Sequence, residues 1–246
     1  MKAGRGKAEA RSGARIPDGD GSTSRGKPVV LSWSGGKDSA LALAQLRESE
    51  EFEPIALMTS VTRGYDRISV HGVRRALLIA QADSIGLPLV EISLERNSSN
   101  AAYESAFHNA LDEIRGRWPA VKHIAFGDLF LEDVRAYRER LLAGSGFDPV
   151  FPIWGRNTTD LAREFVARGY SARLVCVDTT QLDNSFAGRQ FDLSLLADLP
   201  PSTDPCGERG EFHTFVSNGP IFAEAIRCET GERVLRENRF MYCDLF

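Results

Sequence analysis

Two short stretches of this chain concentrate side chains that can do chemistry. The first is Ser34-Gly35-Gly36-Lys37-Asp38-Ser39. Backbone N–H groups of a glycine turn, and the free N–H groups of a helix's first turn, converge on one spot and favour an anion there. Gly35 and Gly36 let the backbone approach a phosphate with no Cβ in the way. Lys37 adds a point charge, and Ser34 and Ser39 add hydroxyl donors. Asp38 is the odd member, because a carboxylate beside phosphates has a use only as a helix cap or as a ligand to Mg2+. The order of residues excludes a Walker A loop, whose Lys stands before Ser or Thr at the end of a longer turn, and the dinucleotide pattern GxGxxG. The second stretch is Asp204–Val216, DPCGERGEFHTFV. Pro205, Gly207 and Gly210 make it a loop. Glu208 and Glu211, with His213 and Thr214, bring more polar chemistry than a surface turn requires, while a solvated turn feeding a strand has the same spacing. Cys206 has no evident activating partner and is not read as a nucleophile.

The elements around these stretches must bring them together. Val29–Trp33 (VVLSW) is a short apolar, β-branched run fit for a buried strand. The residues after Ser39 read as a helix with Ala40, Leu41, Leu43, Ala44 and Leu46 apolar. Pro54–Ser60 is a second strand. Ser69 is placed to N-cap a helix running to about Ser84, with Gly86 and Pro88 as stop signals and His71 a polar residue near its start. Leu87–Leu94 is a third strand, and residues 101–117 carry helical periodicity through Phe107, Ala110, Leu111 and Ile114. Tyr103, after the Asn-rich loop Asn97–Asn100, reads as a packing aromatic. Lys122–Phe126 is a fourth strand, a helix runs from about Glu132 to Ala143, and Pro149–Ile153 is a fifth strand. This alternation predicts a parallel five-stranded sheet with helices on both faces, in the α/β class. Ligands of such sheets sit beyond the carboxyl ends of the strands. Ser34–Ser39, Thr59 within Met58–Ser60, and Gly127-Asp128 all fall at such ends, so they can share one pocket. Further on, Thr158–Arg168 reads as a helix, and Ala172–Val177 and Phe212–Val216 as strands. The pattern of Gln190–Leu196 does not decide between helix and strand.

Composition narrows the partners. Residues 1–27 hold seven basic and three acidic groups, so with a net charge of −4 for all 246 residues the remainder carries −8. An acidic body argues against a large nucleic-acid surface, which gains affinity from many Lys and Arg contacts to phosphate. No run approaches the roughly 18 apolar residues of a membrane helix. Four scattered cysteines with no CxxC pair argue against a disulfide framework and a structural zinc. The first 27 residues lack the apolar core of a secretory signal and read as a disordered extension. A cytoplasmic location follows as the expectation.

SGGKDS after a strand resembles the PP-loop of the ATP pyrophosphatase superfamily. Together with QADSIGLPL (81–89), FGDLFLEDVRAYRE (126–139), FPIWGRNTTDLAREFVARGYSARLVCV (151–177) and CGERGEFHTFVSNGPIF (206–222), it makes the chain resemble the diphthine–ammonia ligase family from residue 29 to about 222. The resemblance implies a Rossmann-like PP-loop domain (28–153), a smaller C-terminal α/β lobe (154–246), and ATP between them. It implies that ATP is split to AMP and pyrophosphate as a carboxylate is adenylated, and that ammonia then displaces AMP. The loop residues Ser34 to Ser39, with Thr59, Gly127 and Asp128, would hold the nucleotide, and Asp38 the Mg2+. Lys37, Asp38, Glu208, Glu211 and His213 would be catalytic, and Arg135, Glu208, Glu211 and Thr214 would bind the carboxylate substrate. The family pattern CGEGGEYET differs here at Arg209 and His213, a variant that looks like the bacterial branch, whose substrate is another carboxylate, small or protein-borne. No stretch is long enough for a glutaminase, so ammonia is expected free or from another protein, and a homodimer stays open. Two other readings share the loop. One is an adenine nucleotide alpha hydrolase or nucleotide sensor without ligase activity. The other is a tRNA-modifying PP-loop enzyme, which calls for a basic surface and usually a cysteine pair.

Overall fold

A computed structural model describes residues 26–63, 67–68, 72–96 and 98–246. Residues 1–25 of the N-terminal extension, Ser69, His71 and Asn97 lie outside the described residues. Five strands form the main sheet: β1 (Lys27–Ser32), β2 (Phe52–Thr62), β4 (Leu89–Leu94), β5 (His123–Ala125) and β6 (Asp148–Val150). They pair in parallel in the order β4-β2-β1-β5-β6, and the two-residue β3 (Arg67–Ile68) adds antiparallel to the end of β2. The order runs one way from β1 to β4 and the other way from β1 to β6. The crevice for a ligand therefore opens where β1 and β5 part.

Alternation along β1 explains why both faces are covered. Val29 and Leu31 pack with the helices α1 (Lys37–Glu48) and α2 (Arg75–Ile85), while Val30 packs on the opposite face with Met58, Ile124 and the helices α3 (Asn100–Arg117) and α4 (Glu132–Leu142). All three side chains are wholly buried, as β-branched and leucine residues of a central strand should be. The first of these cores does not stop at the sheet. It continues through α5 (Thr158–Ala167) and α6 (Leu193–Asp198) into an antiparallel sheet of order β8-β7-β10-β9, formed by β7 (Ser171–Asp178), β8 (Phe212–Asn218), β9 (Thr230–Arg236) and β10 (Phe240–Leu245). Phe165, Leu174, Phe212 and Phe215 belong to the same buried cluster as Leu31 and Leu43.

Four details differ from the sequence reading. Helix α2 starts at Arg75, six residues after Ser69. Strand β6 ends at Val150, and Pro152 to Gly155 form a turn rather than the end of a strand. Of Gln190–Leu196, the part from Leu193 on belongs to α6, which Asp192 caps by accepting the Leu195 N–H at 2.8 Å, while Gln190 makes an isolated antiparallel bridge to Arg173. Strands β9 and β10 lie outside the sequence reading, and β9 shows no apolar alternation because it is exposed along almost its whole length. No helix of the described residues is long and apolar enough to cross a membrane.

Candidate functional site

The loop after β1 is fixed by a buried glutamine. Trp33 Nε1 donates to Gln81 Oε1 at 2.9 Å, and Gln81 Nε2 donates to the carbonyls of Gly35 (3.1 Å) and Val216 (2.6 Å). One wholly buried side chain thus ties the loop to α2 and to β8. Gly35 has φ +78°, and a Cβ there would stand 2.8 Å from Gln81 Oε1, so only glycine fits. The Gly35 carbonyl also accepts the Val216 N–H at 2.9 Å, which brings the edge of the second sheet against the loop.

Helix α1 opens directly from this turn. Its cap residue is Gly36, with no side-chain cap bond, so the first turn presents backbone N–H groups toward the crevice. Lys37 N–H is the one met by the second sheet, donating to Thr214 Oγ1 at 3.0 Å. Ser34 and Ser39 hydroxyls lie 3.2 Å apart, and Ser39 Oγ donates to the Gly36 carbonyl at 2.9 Å. From the other side of the crevice comes the turn after β5. Gly127 sits so close to α1 that a Cβ would lie 3.1 Å from the Asp38 carbonyl carbon and the Ser39 nitrogen.

These elements enclose a cavity of about 260 Å³. Ser34, Gly36, Lys37, Asp38, Ser39, Gly127, Asp128, Glu208, His213 and Thr214 all line it, so the structure brings together most of the residues singled out in the sequence. Four are placed elsewhere. Gly35 lies behind the loop against Gln81. Thr59 is buried in β2 with its hydroxyl unpartnered, away from the cavity wall. Arg135 faces the outside of α4, where it pairs with Glu139 at 2.9 Å and lies over the rings of Phe151 and Trp154. Glu211 is buried beneath its own loop, accepting the Asp204 N–H at 2.8 Å and the Arg209 N–H at 2.9 Å.

The cavity also takes in residues that sequence reasoning missed, among them Arg138, Ser32, Phe126 and Phe212. Arg138 stands three residues after Arg135, and Arg138 Nε donates to Asp128 Oδ2 at 3.4 Å. No sequence signal separates the two, because positions three apart share a helix face and only the packing of α4 decides which enters the cavity. Asp204 was likewise passed over. Its Oδ1 accepts the N–H groups of Cys206 (2.9 Å) and Glu208 (3.3 Å), and its Oδ2 accepts the Thr158 hydroxyl at 2.7 Å.

Electrostatics separates the titratable groups. Lys37 Nζ donates to Asp38 Oδ2 at 2.9 Å and to the Cys206 carbonyl. Burial opposes its charge, but Asp38, Cys206 and Glu208 together hold the ammonium above its ordinary pKa. Burial raises the Asp38 carboxyl, with Asp204 and Asp128 adding to it against the pull of Lys37. Asp38 Oδ1 is buried with no hydrogen-bond partner. Burial pushes Glu208 up to about 7, although the Leu129 N–H, donated to Glu208 Oε1 at 2.8 Å, works the other way. His213 is pushed down to about 4 by burial and by Lys37, so it is neutral at pH 7. Burial raises the Cys206 thiol, which is a neutral group here. A single cavity therefore offers an anion cradle at one wall and, facing it, a carboxyl able to exchange a proton near neutrality.

A glycine turn and helix N-terminus at the switch point of a parallel sheet define a nucleotide-binding α/β protein. Comparison with known families carries this further. The diphthamide synthase N-terminal domain matches residues 26–149, and the diphthamide synthase C-terminal domain matches residues 157–244. The chain belongs to the diphthamide synthase family. Among curated relatives, a diphthine–ammonia ligase of Danio rerio is 25% identical over 243 residues, covering 85% of this chain and 89% of its own. The Rattus norvegicus and Homo sapiens proteins of the same name are each 24% identical, over 234 and 228 residues, and cover 82% of this chain and 83% of their own length.

Proposed function

We propose that this chain is an ATP-dependent ligase that joins ammonia to a carboxylate through an acyl-adenylate. The observation that carries the reading is the meeting, on one cavity, of the Ser34–Ser39 loop with Glu208, the carboxyl pushed up to about 7. Family membership supports it, since the relatives named above are diphthine–ammonia ligases.

In this reading the loop amides and the N-terminus of α1 hold the phosphates of ATP. The substrate carboxylate attacks the α-phosphorus, the bond from that phosphorus to the bridging oxygen breaks, and pyrophosphate leaves. Donors already fixed by Gln81 and Thr214 meet the charge that develops, with no reorganisation at the moment of reaction. Ammonia then attacks the acyl carbon and AMP departs. Glu208 takes the proton that ammonium must lose, which a carboxyl poised near neutrality does well. Neutral His213 lines the same wall as a hydrogen-bonding group for the acyl intermediate. Glu211 and Thr214 act as positioning residues, Glu211 on the 204–211 loop and Thr214 on the start of α1.

Mg2+ fits the site in one respect: Asp38 Oδ1 is a buried oxygen with no hydrogen-bond partner. No group of three or more His, Cys, Asp or Glu among the described residues could hold a metal, so phosphate oxygens and water would complete the shell around Asp38. The ion would offset charge on the phosphates.

The test is product analysis of Mg-ATP with the pure chain, ammonium and a pool of metabolite carboxylates. The expected products are AMP and pyrophosphate, formed only when the pool is present. Glu208→Gln should slow amide formation by roughly 100-fold or more while leaving ATP bound. ADP and phosphate as products would overturn the reading.

A further inference from the structure

We propose that Arg138 binds the phosphate chain of ATP and is the principal side-chain cation this cavity offers to it. The inference rests on the nucleotide reading above and assigns a partner to a residue outside the glycine loop.

Among the described residues two cations line the cavity, Lys37 and Arg138, against the carboxyls of Asp38, Asp128 and Glu208. A polyphosphate entering among those carboxyls meets like charge, so an unspent cation is needed to receive it. Lys37 is largely spent. Its side chain is 3% exposed, its ammonium bonds Asp38 and the Cys206 carbonyl, and it lies 5.4 Å from the centre of the Phe212 ring. That arrangement makes Lys37 a clasp between the two loops.

Arg138 is arranged otherwise. The guanidinium lies over the Phe126 ring, 5.0 Å from its centre, which keeps the planar group in place. Its bond to Asp128 uses Nε alone and is long, at 3.4 Å. Tyr103 is its other hydrogen-bonding neighbour. A guanidinium has five N–H donors, so Asp128 and Tyr103 orient the fork without exhausting it, and a fork held flat is the geometry that meets phosphate oxygens in pairs. The placement in the fold agrees. Arg138 comes from the helix that follows β5, the strand across the switch point from the glycine loop, so a phosphate chain in the crevice would be gripped from both sides. The side chain is 23% exposed, enough to reach a ligand and too little to be a solvated surface arginine.

The experiment is calorimetric titration of the full chain with Mg-ATP, with thermal unfolding run on every variant. Arg138→Gln removes charge and fork, Arg138→Lys keeps the charge alone, and Arg140→Gln removes an exposed arginine of the same helix. The expected result is a loss of ATP affinity of roughly 10- to 100-fold in Arg138→Gln, a smaller loss in Arg138→Lys, and none in Arg140→Gln. Unfolding midpoints of the Arg138 variants should stay near that of the wild type. ATP affinity unchanged in Arg138→Gln would overturn the proposal. Should Arg138→Gln fail to fold, Arg138→Lys decides by the same criterion. If the wild type and Arg140→Gln also fail to bind ATP, the nucleotide reading itself falls, and that outcome is distinct from a loss confined to position 138.

Discussion

The loop after β1 and the loop before β8 face the same cavity, yet they are held in place by opposite means. The first is shaped by what it lacks. Glycines at 35 and 36 remove side chains, Gly127 lets the neighbouring turn touch α1, and Gln81 ties the backbone from behind. The second is held by its own carboxylates. Asp204 and Glu211 between them accept four backbone N–H groups of residues 204 to 209, and Asp204 also accepts the Thr158 hydroxyl. Glu211, which looks like acid–base chemistry in the sequence, is thus, with Asp204, the internal frame of a turn. Glu208, framed by them, is the one left lining the cavity. Acidic residues close in sequence therefore divide between scaffold and chemistry according to which backbone amides are within reach.

This contrast can be broken at each loop. The largest effect is expected at Glu211. Glu211→Ala leaves two backbone donors of a buried loop without an acceptor, and stability measured by urea unfolding should fall by about 3 kcal/mol. A loss of activity with unchanged stability would instead place Glu211 in the chemistry. Next comes Gly127→Ala, whose Cβ would press on the Asp38 and Ser39 backbone at 3.1 Å. The start of α1 must shift by a few tenths of an ångström, at a cost of about 1–2 kcal/mol. ATP affinity should fall with it, because the displaced amides are the ones proposed to bind phosphate. Affinity equal to that of the wild type would separate the turn after β5 from the site.

The effect sharpest in sign concerns Glu208. Its carboxyl is raised by burial from an ordinary 4.5 to about 7. Below pH 4.5 the group is neutral both folded and unfolded, so Glu208→Gln and the wild type should melt alike. Between 4.5 and about 7 the unfolded chain ionises while the folded chain keeps its proton. The wild type should therefore lose stability relative to Glu208→Gln across that window, with a constant gap above it. At a fixed concentration of free ammonia, amide formation by the wild type should rise with pH through about 7, and the rise should vanish in Glu208→Gln. Parallel melting curves at every pH would show that the carboxyl is not raised.

How far the sequence carried depends on what each region buries. The parallel strands β1, β2, β4 and β5 were legible because a parallel sheet covered on both faces needs near-continuous apolar runs, as in Val29–Leu31 and Ala56–Met58. The glycine loop was legible because its function is written in missing side chains at fixed spacing. Strand β9 was not, since Thr230–Arg236 faces solvent and alternates nothing. Arg138 and Arg135 could not be sorted by type, because only the packing of α4 over Phe126 on one side and Phe151 on the other decides which enters the cavity. Gln81 lay inside a motif read for its helix, and its role depends on Trp33 and Val216, 48 and 135 residues distant in sequence.

The central claim is that the two loops form one ATP site, with the phosphates on the N-terminus of α1 and Glu208 opposite. The most direct test is a crystal structure of the chain with an ATP analogue carrying a methylene bridge between its α and β phosphates, which blocks the cleavage proposed here. Phosphate oxygens are expected at the backbone N–H groups of Asp38 and Ser39, with the Glu208 carboxyl facing the α-phosphate across the cavity. Phosphates bound elsewhere, or an analogue whose α-phosphate points away from Glu208, would contradict it.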